Sequence, residues 1–206
     1  MATKQARSPV HYIPDDEISK EVEQQLQMHP FTQSIRSNIS FTEKRFYESI
    51  PEATRTLMLT TGSLLGPGKI IVPPLSFRDK NGKTLFLVFY LGAAVCGYPG
   101  VVHGGLLATI LDEGLASCSF LLFSDRITVT ANLNVKFRKP APTDKFYVLK
   151  ADVLKVDGSK AWIEGKIGIL GPNAGQIGSF DDGEVVAEAK GIYQAPITRG
   201  RLRAMI

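Results

Sequence analysis

Between His103 and Phe123 the chain is apolar on nearly every side, and Asp112 and Glu113 are its only charges. A helix of this kind must be covered on nearly every side, so the rest of the fold has to wrap around it. Burying an unpaired carboxylate costs several kcal/mol, so these two acids must be paired, protonated or turned toward a wet site. The segment opens with His103-Gly104-Gly105. That places bare backbone N–H groups at a helix N-terminus, where donors lack intrahelical partners and the dipole favours negative charge. A carboxylate and a set of amide donors are the minimum parts for attacking a carbonyl and holding the oxyanion that results.

The cover for this helix is legible as strands. Leu75-Ser76-Phe77-Arg78, a turn at Asn81-Gly82 and the run from Thr84 to Leu91 predict a hairpin. After the loop Gly97-Tyr98-Pro99-Gly100 and the apolar helix come strands at Ile127–Arg138, Lys145–Val156 and Ala161–Leu170, the last two joined by Asp157-Gly158. A glycine-rich stretch from Gly171 to Gly183 leads to a final strand at Glu184–Tyr193. The expected class is α+β, with a curved antiparallel sheet wrapped around one long helix.

The first part of the chain reads differently. Residues 1–14 read as a loose tail. A helix is expected from Asp15 to Met28, capped by Asp15 or Asp16, with Ile18, Val22 and Leu26 on one stripe and Pro30 ending it. A short helix is expected at Thr42–Ser49, closed by Pro51, while Arg55–Thr61 suits helix or strand equally. The organisation expected is a helical extension over 1–69, the sheet-and-helix domain over 70–196 and an exposed tail over 197–206.

The chain has 206 residues, and its net charge of +4 is too small to argue for nucleic acid but suits an anionic ligand such as a nucleotide-bearing thioester. The nearest basic clusters are Lys136, Arg138 and Lys139, and a tail of Arg199, Arg201 and Arg203 that reads as solvated. Cys96 and Cys118 define no disulfide framework, and Cys118 reads as a small core residue. His11, His29 and His103 are scattered, so neither a metal site nor a cofactor is expected. The acids at the centre of the apolar run argue against a transmembrane span. The N-terminus has no signal-peptide core, and its first acidic residue is Asp15, after Lys4 and Arg7. A cytoplasmic protein is expected, with mitochondrial targeting as the alternative.

Spacing says more about the site. Asp112 lies nine residues after His103, which is about half a revolution and roughly 13 Å along a helix. It cannot meet the amides of Gly104 and Gly105 on its own helix. If both act on one substrate they come from two copies, and a two-fold antiparallel pairing of the helix would supply them. A homodimer with two composite sites is therefore expected. In the strand after the helix, Ile127, Val129, Ala131, Leu133, Val135 and Phe137 alternate with Thr128, Thr130, Asn132, Asn134, Lys136 and Arg138. Hydroxyls and amides fill the first half of the polar face, as a seam that positions water would.

Gly100-Val101-Val102-His103-Gly104-Gly105, then Asp112, then Thr130-Ala131-Asn132-Leu133-Asn134-Val135 resembles the hotdog-fold acyl-CoA thioesterases. The closest likeness is to the branch with the THEM and the bacterial phenylacetyl-CoA-type thioesterases. The motifs span Cys96 to Pro140, and the strand pattern extends loosely to Tyr193. The resemblance implies hydrolysis of an acyl-CoA or related thioester without a cofactor, in a homodimer or tetramer. It makes Asp112 the general base or nucleophile and the Gly104 and Gly105 amides the carbonyl donors. His103 orients the loop. Thr130 holds the attacking water, with Thr128 as fallback. Asn132 is a candidate substrate contact, and Lys136, Arg138 and Lys139 are candidates for the CoA phosphates. Glu113, about 100° from Asp112 on the helix, takes a structural or rim role. Gly97 stands where many bacterial members carry Asn or Gln. The resemblance leaves two other readings open: a hydratase or dehydratase of the same fold, which would use the loop histidine with a helix carboxylate, and a non-catalytic acyl-CoA-binding scaffold.

Overall fold

The computed structural model describes residues 12–123, 126–171 and 184–198. Helices α1 (Glu17–Met28) and α2 (Pro30–Ser37) lead into strand β1 (Phe41–Arg45), the short helix α3 (Glu52–Arg55) and a π turn at Leu59–Ser63. Strands β2 (Leu75–Asp79) and β3 (Thr84–Leu91) follow, then the short strands β4 (Cys96–Tyr98) and β5 (Val101–Val102). The long helix α4 (Gly104–Leu122) comes next, and β6 (Arg126–Phe137), β7 (Lys145–Asp157), β8 (Lys160–Ile169) and β9 (Val185–Thr198) complete the fold.

One antiparallel sheet runs in the order β1-β2-β3-β7-β8-β9-β6, and β4 pairs with β5 apart from it. Helix α4 touches β3, β6, β7, β8 and β9. A single helix reaches so many neighbouring strands only if the sheet curves about it, and this is the hotdog architecture. Leu107, Leu111, Leu115 and Cys118 of α4 are buried against Leu87, Phe89, Leu149, Ala151 and Ile163.

The sheet carries a second core on its other face. Val22, Leu26, Phe31 and Ile35 of α1 and α2 pack there with Leu75, Phe77, Phe86, Val88 and Val148. This explains why β3 is apolar at almost every position: its two sets of alternate side chains enter two different cores. Each fully buried aliphatic or aromatic residue contributes roughly 1.5–3 kcal/mol, so α1 and α2 stabilise a sheet face that would otherwise be wet.

Several expectations for the N-terminal segment are corrected. Thr42–Ser49 is not helical; Phe41–Arg45 forms the edge strand β1, from Phe41 opposite Asp79 to Arg45 opposite Leu75. Tertiary pairing overrides the local pattern, and Arg45 is fixed by a buried ion pair with Glu23 and a hydrogen bond to the Pro73 carbonyl. The same pair sets the rotation of α1: Ser19, Val22, Glu23, Leu26 and Gln27 face inward, leaving Ile18 61% exposed. Asp16 is the α1 cap, accepting from the Ser19 N–H. Pro30 ends one helix and starts another, since proline is favoured in a first helical turn. Residues 12–69 therefore join the sheet through a strand as well as covering it with helices. Strand β9 also continues past Tyr193 to Thr198. The expected glycine-rich loop lies, from residue 172 to 183, outside the described residues, as do the leading residues 1–11 and the tail from 199.

Candidate active site

His103 caps α4 with its side chain: Nδ1 accepts the Gly105 N–H at 2.9 Å. This occupies one of the two amides expected to bind a carbonyl. It also explains the glycine, because a Cβ on residue 105 would sit 2.9 Å from His103 Nδ1 and Cε1. Gly97 packs on the same ring, where a Cβ would stand 3.0 Å from His103 Cδ2. Gly104 is different. A Cβ there would meet only the Phe137 ring, at 3.4 Å, and its N–H has no hydrogen-bond partner among the described residues. Gly104 supplies the open amide at the positive end of the α4 dipole.

Asp112 stands on the partly exposed flank of α4. Its Oδ1 accepts from Thr130 Oγ1 at 2.8 Å and from the Tyr193 hydroxyl at 3.1 Å. The same hydroxyl lies 3.2 Å from the Asp112 carbonyl oxygen. Oδ2 has no partner among the described residues. Tyr193 is fully buried, and burial first, then the neighbouring Asp112, pushes its pKa far above the ordinary phenol range. It stays protonated and acts only as a donor. Motif and spacing do not single out Tyr193. It lies 81 positions from Asp112, and only the pairing of β9 with β6, which sets Tyr193 opposite Thr130, brings it in.

Thr130 reaches Asp112 through a change of register. The β6–β9 ladder slips between Thr130 and Asn132, after an earlier slip between Ile127 and Val129. A bulge of this kind re-aims side chains. Thr128 and Thr130 turn toward α4, where Thr128 takes a 2.7 Å hydrogen bond from Ser119. Beyond the bulge it is Leu133 and Val135 that pack against the α4 core. The alternation expected along the whole strand is therefore corrected: Val129 is 50% exposed and does not share a face with Leu133.

The remaining candidates do not converge on Asp112 within the chain. Asn132 pairs opposite Ile192 on the face turned away from α4. Lys136 lines a cavity of about 620 Å³ on that face, with Asn134, Lys150, Glu164 and Glu188. Arg138 is held by Glu188 at 2.5 Å, and Lys139 stands 3.6 Å from Glu184. Among the described residues no group of His, Cys, Asp and Glu is placed to hold a metal ion.

Glu113 is explained separately. It points away from Asp112 and accepts hydrogen bonds from Thr60 Oγ1, at 2.8 and 2.9 Å, and from the Tyr47 hydroxyl. Thr60 comes from the π turn, and Tyr47 has a left-handed backbone with φ of 69°. Burial raises the Glu113 pKa to about 7.

The domain is thus a curved hotdog sheet around one helix, with a carboxylate held on the helix flank and an open amide at the helix start. Residues 99–168 match the family model described as the thioesterase superfamily. Similar curated proteins include a UPF0644 protein of Schizosaccharomyces pombe, 38% identical over 70% of this chain and 55% of the relative. A mitochondrial protein of Candida albicans is 34% identical over 59% of this chain and 55% of its own. The acyl-coenzyme A thioesterase THEM4 of Rattus norvegicus is 37% identical over 42% of this chain and 36% of its own. The chain thus spans about half, or less, of the length of these relatives.

Proposed function

We propose that the chain hydrolyses an acyl-CoA or related thioester to a carboxylic acid and a thiol. One observation carries this reading: both hydrogen bonds to Asp112 fall on Oδ1, which orients the carboxylate and leaves Oδ2 open to the exterior. An oriented carboxylate with one free oxygen is what a general base or a nucleophile requires.

In the general-base form, Asp112 Oδ2 takes a proton from water and the hydroxide attacks the thioester carbon. The carbonyl oxygen becomes an oxyanion held by the Gly104 N–H of a second copy. Collapse expels the thiolate, which recovers the proton from Asp112. In the nucleophilic form Oδ2 attacks first and the C–S bond breaks, expelling the thiolate; water then hydrolyses the mixed anhydride, restoring the Asp112 carboxylate and supplying the proton that the thiolate takes up. Thr130 and Tyr193 orient Asp112 in both. His103 acts through the loop, by capping α4 and keeping the Gly104 amide exposed. The Gly105 amide, already bonded to His103, is the secondary donor.

Two features support the second copy. The outer edge of β6 pairs with no strand among the described residues, and Gly105, Thr109, Asp112, Ala116 and Phe120 form an exposed or partly exposed stripe along α4. Antiparallel pairing across this stripe would bring the start of one α4 to the Asp112 of the other. The likeness to the Candida albicans mitochondrial protein supports a mitochondrial location. Free-thiol release from a panel of acyl-CoA esters tests the activity. Turnover of one or more esters is expected, and no release at any chain length would overturn the reading.

A further inference from the structure

Between β1 and β2 the chain makes a loop whose neck is pinned to α4. Tyr47 and Thr60 stand at its two ends with their hydroxyl oxygens 3.0 Å apart. Both reach the Glu113 carboxyl: Thr60 Oγ1 lies 2.9 and 2.8 Å from its two oxygens, and the Tyr47 hydroxyl bonds Oε2. Closed ends and local packing are the marks of an Ω-type loop. Among the described residues, every backbone hydrogen bond of residues 48–59 closes locally, between Arg45 and Leu64. Helix α3, inside the loop, buries no residue. Leu57 is 88% and Leu59 55% exposed, so apolar packing holds the loop only weakly. The contacts to Glu113 are its polar ties to the body of the fold.

Proton count decides how well these ties are made. Three hydroxyl-bearing groups meet in three pairs. With Glu113 protonated, three hydrogens close a ring: Glu113 donates to Thr60, Thr60 to Tyr47 and Tyr47 back to Glu113. With Glu113 ionised only two hydrogens remain. One contact is then left with facing lone pairs, and a carboxylate sits out of water without a counter-charge. The wall at the carboxyl is apolar: Phe46, Ile70, Pro74, Leu87, Phe89 and Ile110. The wider flank carries Lys44, Arg45 and Glu48 from β1 and the chain after it, and Arg78, Asp79 and Lys80 from β2 and its end. The loop itself adds Glu52 and Arg55. Among the described residues none of these forms an ion pair with Glu113, and Arg45 is already engaged by Glu23. Asp112, next along α4, is turned to Thr130 and Tyr193. Burial alone accordingly raises the Glu113 pKa to about 7.

We infer that the loop from Tyr47 to Thr60 is a proton-latched flap on α4, fastened while Glu113 carries its proton and released when Glu113 ionises. One proton is taken up from solvent on closing and returned on opening. Acidic surroundings therefore favour the closed flap and alkaline ones the open flap. The latch does not rest on the thioesterase reading, since none of its three groups is assigned to the hydrolytic site.

The test is amide hydrogen exchange of the full chain at pH 6 and pH 8, with each rate corrected for its intrinsic pH dependence. The reporters are the Gly62 and Leu64 amides, whose bonds to the Met58 and Leu59 carbonyls close the turn at Thr60. They should exchange well ahead of the amides of β7 and β8, as a local opening requires. Their corrected rates should rise about tenfold from pH 6 to pH 8, the ratio set by a pKa of 4.5 when open and about 7 when closed. Glu113→Gln keeps a donor and an acceptor and cannot ionise, so its rates should not change with pH. Should that variant fail to fold, Tyr47→Phe takes its place: it breaks the ring and should raise the same rates at pH 6 by about fivefold, the worth of one hydrogen bond. Reporters that exchange no faster than β7 and β8, wild-type rates independent of pH, or the same pH response in Glu113→Gln would overturn the inference. So would Tyr47→Phe rates equal to those of the wild type at pH 6.

Discussion

Thr130 Oγ1 lies 2.8 Å from Asp112 Oδ1 because β6 carries a bulge immediately after Thr130. A ladder without that slip would hold Thr130 on the face of Asn132 and Lys136, away from α4. The bulge moves one hydroxyl from the outer face of the sheet to the flank of the helix, and the candidate site depends on that placement.

Removing either donor should loosen the carboxylate without unfolding the chain. Thr130→Val and Tyr193→Phe are each expected to lower kcat by about 10–100-fold, the equivalent of one hydrogen bond to a charged group. KM for the best acyl-CoA ester should change little, since neither residue is assigned to bind the substrate. Steady-state kinetics on the two variants check this. A rise in KM with unchanged kcat would place these residues in substrate binding instead.

The two glycines should separate cleanly. Gly104 is the first residue of α4, where proline is favoured, and His103 before it has ψ of 127°, the extended backbone that precedes proline. Gly104→Pro should therefore fold while deleting the open N–H, and turnover should fall by about 10²–10³-fold. Gly105→Ala should act on stability. Its Cβ would displace the His103 ring, and losing the cap costs about 0.5–2 kcal/mol. Thermal unfolding and thiol release, measured on both variants, distinguish the two effects.

Glu113 predicts a pH dependence of stability. Burial raises its folded pKa from the ordinary 4.5 to about 7. Between these values the folded chain keeps a proton that the unfolded chain has lost, so stability falls as pH rises. The contribution is complete below about 4.5 and gone above about 7. Glu113→Gln, which stays neutral, should flatten the unfolding midpoint across this window and exceed wild type at pH 8. A profile with the same slope in both proteins would contradict the assignment.

Much of this is readable from sequence where periodicity and chemistry coincide. The apolar run that forms α4, the β2–β3 hairpin and the strands β6, β7 and β8 all follow from local pattern, and the motif from Gly100 to Val135 points to the domain type. What escapes depends on distant partners. Phe41–Arg45 is a strand because β2 offers an edge and Glu23 offers Arg45 a counter-charge. Tyr193 enters the site through strand register alone. The partners of Glu113 come from Tyr47 and Thr60, on a left-handed residue and a π turn that no pattern announces. The polarity of the Thr130 face is plain in the sequence, yet the bulge that turns Thr130 inward has no glycine to mark it.

The most direct measurement addresses the claim that Asp112 and the Gly104 amide serve one substrate from two chains. Asp112→Asn and Gly104→Pro chains, given different affinity tags and co-expressed, can be purified as the mixed dimer. Each variant alone should be nearly inactive. In the mixed dimer one site carries both defects and the other carries neither, so acyl-CoA thiol release at about half the wild-type rate is predicted, following from site arithmetic and dimer symmetry. A mixed dimer as inactive as its parents would contradict the account, because it would mean that Asp112 and Gly104 act within a single chain or not together at all.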